Sequence, residues 1–126
     1  MLEYESAEYY WNLLMDIYPC KVPFTLRVLH TKPKTHCGMY YSESKHISIN
    51  DKGRSVRQCT EIAIHEYAHH LHYTEFGKKE KKQAPHGREF WQIYGQLMGR
   101  ARELGYQTDS SAPVLVFPKV PGKDSE

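Results

Sequence analysis

Between Arg54 and Phe76 apolar residues recur at helical spacing, which predicts one long helix over residues 54–76, stopping at Gly77. Each residue of an α-helix advances about 100°. With His65 at 0°, Val56, Thr60, Ala63, Ile64, Tyr67 and Leu71 fall between about 160° and 260°. His65 and His69 fall at about 0° and 40°, opposite that stripe. A helix so divided packs one side on a core and presents two imidazoles with the other.

The rest of the chain must supply that core. Its 126 residues suit one domain, long enough to fold without disulfide staples. Hydrophobic residues make up 40% and charged ones 25%, which argues against a wholly disordered chain. No apolar run approaches the ~18 residues of a membrane span. The acidic start Met1–Glu5 does not read as a secretory signal. A net charge of +2 is too balanced to imply nucleic-acid binding by itself. Cys20, Cys37 and Cys59 are far apart, and no Cys-x-x-Cys exists, so the chain cannot build a zinc ribbon. Reduced thiols in a cytoplasmic protein are expected.

Tyr10, Leu13, Leu14 and Ile17 mark a leading helix over residues 3–18, ended by Tyr18-Pro19. Residues 24–31, Gly38–Tyr41 and His46–Asn50 read as three strands, the last two joined by a turn at Ser42–Lys45. A charged loop, Lys78–Gln83, precedes a helix over residues 87–104 that stops at Gly105. Phe90, Ile93, Tyr94, Leu97, Ala101 and Leu104 form its apolar face, and Gly95 and Gly99 would allow close packing on the long helix. The expected fold class is α+β, with residues 1–106 as the domain. Residues 107–126 form a partly ordered tail containing Pro and Ser, in which 114–117 are a candidate edge strand.

The chemistry centres on His65-Glu66-Tyr67-Ala68-His69. Imidazoles one helical turn apart can donate nitrogens to a single ion about 2.0–2.1 Å away. Glu66 lies on the adjoining flank, where its carboxylate reaches a water on the metal. A catalytic zinc takes three protein ligands and leaves one place open. The third candidate is His86, at the start of the next helix, with Phe90 and Trp91 placed to anchor that helix and so aim the imidazole. His72 also lies on the ligand side but about 10.5 Å beyond His65 along the axis, which suits a cleft or outer-sphere role. His70 is expected to face solvent or to bond nearby backbone.

His65-Glu66-x-x-His69, followed by Ala84-Pro85-His86-Gly87-Arg88-Glu89-Phe90-Trp91, resembles the SprT-like zinc metalloprotease domain, over roughly residues 5–105. The resemblance implies a zincin-like fold: a leading helix, a small three-stranded sheet and two helices that bear metal ligands. It implies Zn2+ held by His65, His69 and His86, with Glu66 as general base, and peptide-bond hydrolysis in flexible or DNA-associated proteins. It also implies that strand residues near Gly38–Tyr41 or His46–Asn50 border the substrate cleft, so Gly38, Tyr40, Tyr41, His46 and His72 are cleft candidates. Tyr40, Tyr41, Tyr73 and His46 are candidates for a second oxyanion donor. Many members carry a cysteine-rich zinc ribbon, which this chain lacks. The Lys78–Lys82 run could steer a DNA-bound or acidic substrate, although such runs are more often solvated loops. A monomer is expected. Two rivals are a metal-dependent amide hydrolase acting on a small substrate in a closed pocket, and a DNA- or protein-binding module stabilised by zinc with four protein ligands.

Overall fold

The computed structural model describes residues 3–31, 37–76 and 86–106, the side chains of residues 3–6 excepted. The predicted stop at Gly77, the Lys78–Lys82 run and the tail with its 114–117 strand lie outside the described residues. The fold is α+β: helix α1 (Glu3–Ile17), strands β1 (Thr25–Leu29), β2 (Gly38–Tyr41) and β3 (His46–Asn50), helix α2 (Val56–Leu71), a π-helical turn (His72–Phe76) and helix α3 (Arg88–Glu103). Among the described residues no helix is long and apolar enough to cross a membrane.

The sheet is mixed, in the order β1-β3-β2, with β3 parallel to β1 and antiparallel to β2. Lys45, with φ 55°, makes the left-handed step of the β2–β3 turn. One face is apolar. Leu26 and Val28 of β1 pair with the fully buried Ile47 and Ile49, which in turn face Tyr40 and Gly38 of β2. Side chains alternate along a strand, so Thr25, Arg27, Tyr41 and His46 take the other face, where Thr25, Arg27 and Tyr41 are exposed. Helix α2 packs against β2 and β3, α1 against β1 and α2, and α3 against α2. Tyr10, Leu13, Leu14 and Ile17 of α1 complete the core with Ala63, Ile64, Tyr67 and Leu71 of α2.

The long predicted helix is in fact two conformations. It starts at a capping box, with Ser55 accepting from the Gln58 amide while the Gln58 side chain accepts from the Ser55 amide. Val56, predicted to be in the core, is 58% exposed, because it is the first residue after the cap. After Leu71 the backbone widens into the π-turn. Glu75 of that turn accepts from the Tyr18 hydroxyl and the Lys21 amide, and Thr74 donates to the His70 carbonyl. The Tyr67 hydroxyl donates to the Tyr18 carbonyl. These side chains satisfy a connection between α1 and β1 that has no ladder of its own.

Helix α3 buries Phe90, Tyr94, Leu97, Met98 and Ala101, whereas Leu104 is 36% exposed. It ends where Gly105 turns to φ 91°: the Gly105 amide bonds the Arg102 carbonyl and the Tyr106 amide the Ala101 carbonyl. Gly99 is no packing glycine, since a Cβ there would meet nothing within 4 Å.

Candidate metal centre

Helix α2 carries His65 and His69 on the side away from its apolar stripe, one turn apart. Helix α3 brings His86, two residues before its first turn, to the same point. The Nε2 atoms of His69 and His86 are 3.1 Å apart, and those of His86 and His65 are 3.3 Å apart. Among the described residues these three imidazoles form a cluster whose ligand atoms all lie within 4.8 Å of one another.

The spacing tests the fit of a cation. Tetrahedral bonds of about 2.0–2.1 Å place neighbouring nitrogens about 3.3–3.4 Å apart. Two of the observed separations match that edge closely. One shared proton could bridge two of these nitrogens, but a third aimed at the same place would still lack a partner. A cation could be held by all three.

Phe90 packs against all three imidazoles. It is fully buried, and its ring lies 5.0 Å from His65, 4.3 Å from His69 and 5.0 Å from His86, centroid to centroid. Trp91 adds contacts at 6.1 Å to His65 and 5.9 Å to His86. The expectation that these two side chains anchor α3 and aim His86 matches this geometry, and Phe90 orients the α2 imidazoles as well.

Burial and mutual repulsion keep His65 and His69 neutral. His65 is pushed down to about 4 by burial first and the His86 charge second. His69 is pushed down to about 3 by burial, then by His65, His86 and His72. Both imidazoles are therefore neutral lone-pair donors at neutral pH. His86 is exposed, so the centre opens to solvent.

Glu66 is only 8% exposed, and burial alone pushes its carboxyl up to about 7. Its cover is Gly38, the first residue of β2. The remaining cleft candidates separate. His72 turns into the protein, where its Nε2 lies 3.1 Å from Glu89 Oε1. This contact ties the π-turn to the first turn of α3, just after His86. Tyr40 shares the Gly38 face of β2, but its hydroxyl is 2.8 Å from His70 Nδ1, and His70 Nε2 is 2.8 Å from the Val22 carbonyl. A carbonyl only accepts, so Nε2 holds the ring proton and the Tyr40 hydroxyl donates to Nδ1. Tyr40 is thus committed elsewhere as a donor. His70 is fully buried rather than facing solvent, because it lies on the sheet side of α2 between Tyr40 and the segment entering β1.

Tyr41 and His46 drop out as cleft residues. They pair in register on the sheet face opposite α2, with rings stacked at 6.1 Å and His46 Nδ1 2.7 Å from the Thr25 hydroxyl. Strand parity directs them away from the histidine cluster. The last of the four candidate oxyanion donors, Tyr73, is 52% exposed on the π-turn with Lys45 over its ring at 5.7 Å.

Comparison of the chain with family models, curated proteins and solved structures finds no match.

Proposed function

We propose that the chain is a zinc-dependent metallopeptidase of the SprT-like, zincin type, hydrolysing peptide bonds in flexible polypeptide segments. One observation carries this reading: three imidazole nitrogens, two from α2 and one from just before α3, with two separations that fit the edge of a tetrahedral site, on a chain where the residue after His65 is a desolvated carboxyl. The donor set is three imidazole nitrogens with no thiolate, which suits a catalytic zinc site.

His65, His69 and His86 would hold the ion. A bound Zn2+ supplies Lewis acidity there, lowering the pKa of water toward about 7 and polarising a carbonyl. Glu66 accepts the proton of the attacking water and returns it to the leaving amine. Burial, which raises the proton affinity of this carboxyl in the metal-free chain, makes it a stronger acceptor for the first transfer. Among the described residues β2 is an edge strand packed on α2, so an extended substrate can add to it as a further strand. The exposure of His86 favours such a polymer over a small molecule held in a closed pocket. His72, which would complete a four-ligand structural zinc, is directed at Glu89 instead. Action on DNA-associated proteins follows from the resemblance alone.

The test is incubation of dye-labelled casein with zinc-loaded wild type and Glu66→Gln, with and without single-stranded DNA. The variant should keep about one zinc per chain and lose activity by about 10²–10⁴-fold. Equal activity of the two proteins, or wild type that takes up no zinc, would end the proposal.

A further inference from the structure

Gly38 opens β2 opposite Ile49, inside a regular antiparallel ladder. Its φ lies outside the left-handed region, so backbone conformation does not call for glycine here. A glycine inside a strand weakens it and often marks the close approach of another group. At this position the approaching group is α2. A Cβ on residue 38 would lie 2.5 Å from Ile62 Cγ2, 3.2 Å from Glu66 Oε2 and 3.3 Å from Glu66 Cγ. The first distance is a clash. The other two are tighter than ordinary contact, so the carboxyl would have to shift. Ile62 is partly buried and packed on the core, so it cannot swing freely away.

We propose that Gly38 is a positioning residue for Glu66: the missing side chain leaves a seat between β2 and α2 in which the carboxyl is held beside the histidine cluster. The role rests on the metallopeptidase reading only insofar as Glu66 is the proton carrier. The seat itself is steric. At residue 38 no side chain intrudes between the strand and the carboxyl. The same edge of β2 that can receive substrate therefore also sets where the general base stands. Any larger residue at 38 moves the base without touching a metal ligand.

The experiment compares wild type, Gly38→Ala, Ile62→Ala and the double variant. Zinc content, the kcat and KM for labelled casein, and the Glu66 carboxyl 13C resonance of the zinc-free chain are measured. That resonance is identified by its loss in Glu66→Gln. Gly38→Ala should keep wild-type zinc content and KM while kcat falls about 100-fold, the scale of an ångström of misplacement. Its Glu66 resonance should move. Ile62→Ala removes the atom at 2.5 Å but leaves Glu66 Oε2 and Cγ at 3.2 and 3.3 Å from the new Cβ, so the double variant should regain any stability lost to the clash while keeping the low kcat and the moved resonance. Full kcat in Gly38→Ala overturns the proposal. So does a loss that Ile62→Ala relieves in full, since the defect then acts through Ile62 and not through the seat of the carboxyl. If wild type shows no Glu66-dependent hydrolysis, the peptidase reading fails, and the resonance still decides whether the seat exists.

Discussion

His69 and His70 follow one another on α2, yet the two sides of the helix treat the same side chain in opposite ways. Burial lowers the proton affinity of both. Toward the sheet, His70 meets complementary partners, a hydroxyl that donates to Nδ1 and a carbonyl that accepts from Nε2. Toward α3, His69 meets its own kind, with the Nε2 of His86 at 3.1 Å. Burial therefore does not separate a structural histidine from a metal ligand. The partner does: a satisfied ring is part of the core, and a ring facing like rings needs something else to bind. Each ring shares that environment with a large aromatic neighbour, Tyr67 at 6.1 Å for His70 and Phe90 at 4.3 Å for His69, so aromatic packing does not separate them either.

The largest expected effect tests this contrast directly. Replacing His69 by Ala should weaken zinc binding by more than about 100-fold, beyond the loss of an outer partner. The zinc-free chain should unfold at nearly the wild-type urea concentration, since one of three crowded imidazoles has gone. His70→Ala should do the reverse. Zinc stoichiometry stays, while the Tyr40 hydroxyl and Val22 carbonyl lose their partner at a cost of about 1–3 kcal/mol. Zinc titration and urea unfolding under chelator read the two quantities separately. If His70→Ala weakened zinc as much as His69→Ala does, the contrast would be wrong.

A smaller effect belongs to the strut between the two regions. His72 and Glu89 join the π-turn to the first turn of α3, three residues from His86. Glu89→Ala frees that turn without removing a ligand, so zinc affinity should fall about tenfold, the low end for an outer partner. Glu89 also sits where a carboxylate favours the helix N-terminus, so part of the loss is stability. Restoration by Glu89→Gln would assign the effect to the hydrogen bond rather than the charge.

Much of the metal side was legible because its signals are local. The period of α2, the placement of His65 and His69 opposite Tyr67 and Leu71, and the glycine stop of α3 all depend on neighbours within a turn. Ser55 and Gln58 also stood in the sequence as a capping box and would have moved the helix start to Val56 and out of the core. His70 lies about 140° from His65, at the edge of the apolar stripe, but its polarity hid its burial. What could not be read depends on partners far along the chain. The π-turn is held by Glu75 reaching Tyr18 and Lys21, more than fifty residues away. The facing of Tyr41 and His46 depends on strand register, and the use of Gly38 depends on how closely α2 approaches β2. Strands show their apolar side in sequence; they do not show what leans on it.

Acid should expose what the two histidine environments share. His65 and His69 are pushed down to about 4 and about 3, and burial lowers His70 as well. In the unfolded chain each takes up a proton near pH 6.5. Below that pH the unfolded state binds more protons than the native one, so stability present above about 6.5 is lost as pH falls. Glu66 opposes this, since a carboxyl raised to about 7 from 4.5 binds its proton in the native state first and favours folding between those values. Three histidines against one carboxyl leave a net loss through that window. Below about 4.5 the opposition ends and the loss steepens. The urea midpoint of the zinc-free chain should therefore fall from pH 7.5 to pH 5. His69→Ala and His70→Ala should each flatten the slope, because proton linkage responds to the lowered proton affinity of either ring, whatever its partner. Excess zinc should then separate them: it raises the midpoint of His70→Ala at pH 7.5, loses that effect in acid as the ligands protonate, and does little for His69→Ala at any pH. A midpoint that held steady or rose toward pH 5 would mean that these imidazoles are not buried neutral in the folded chain.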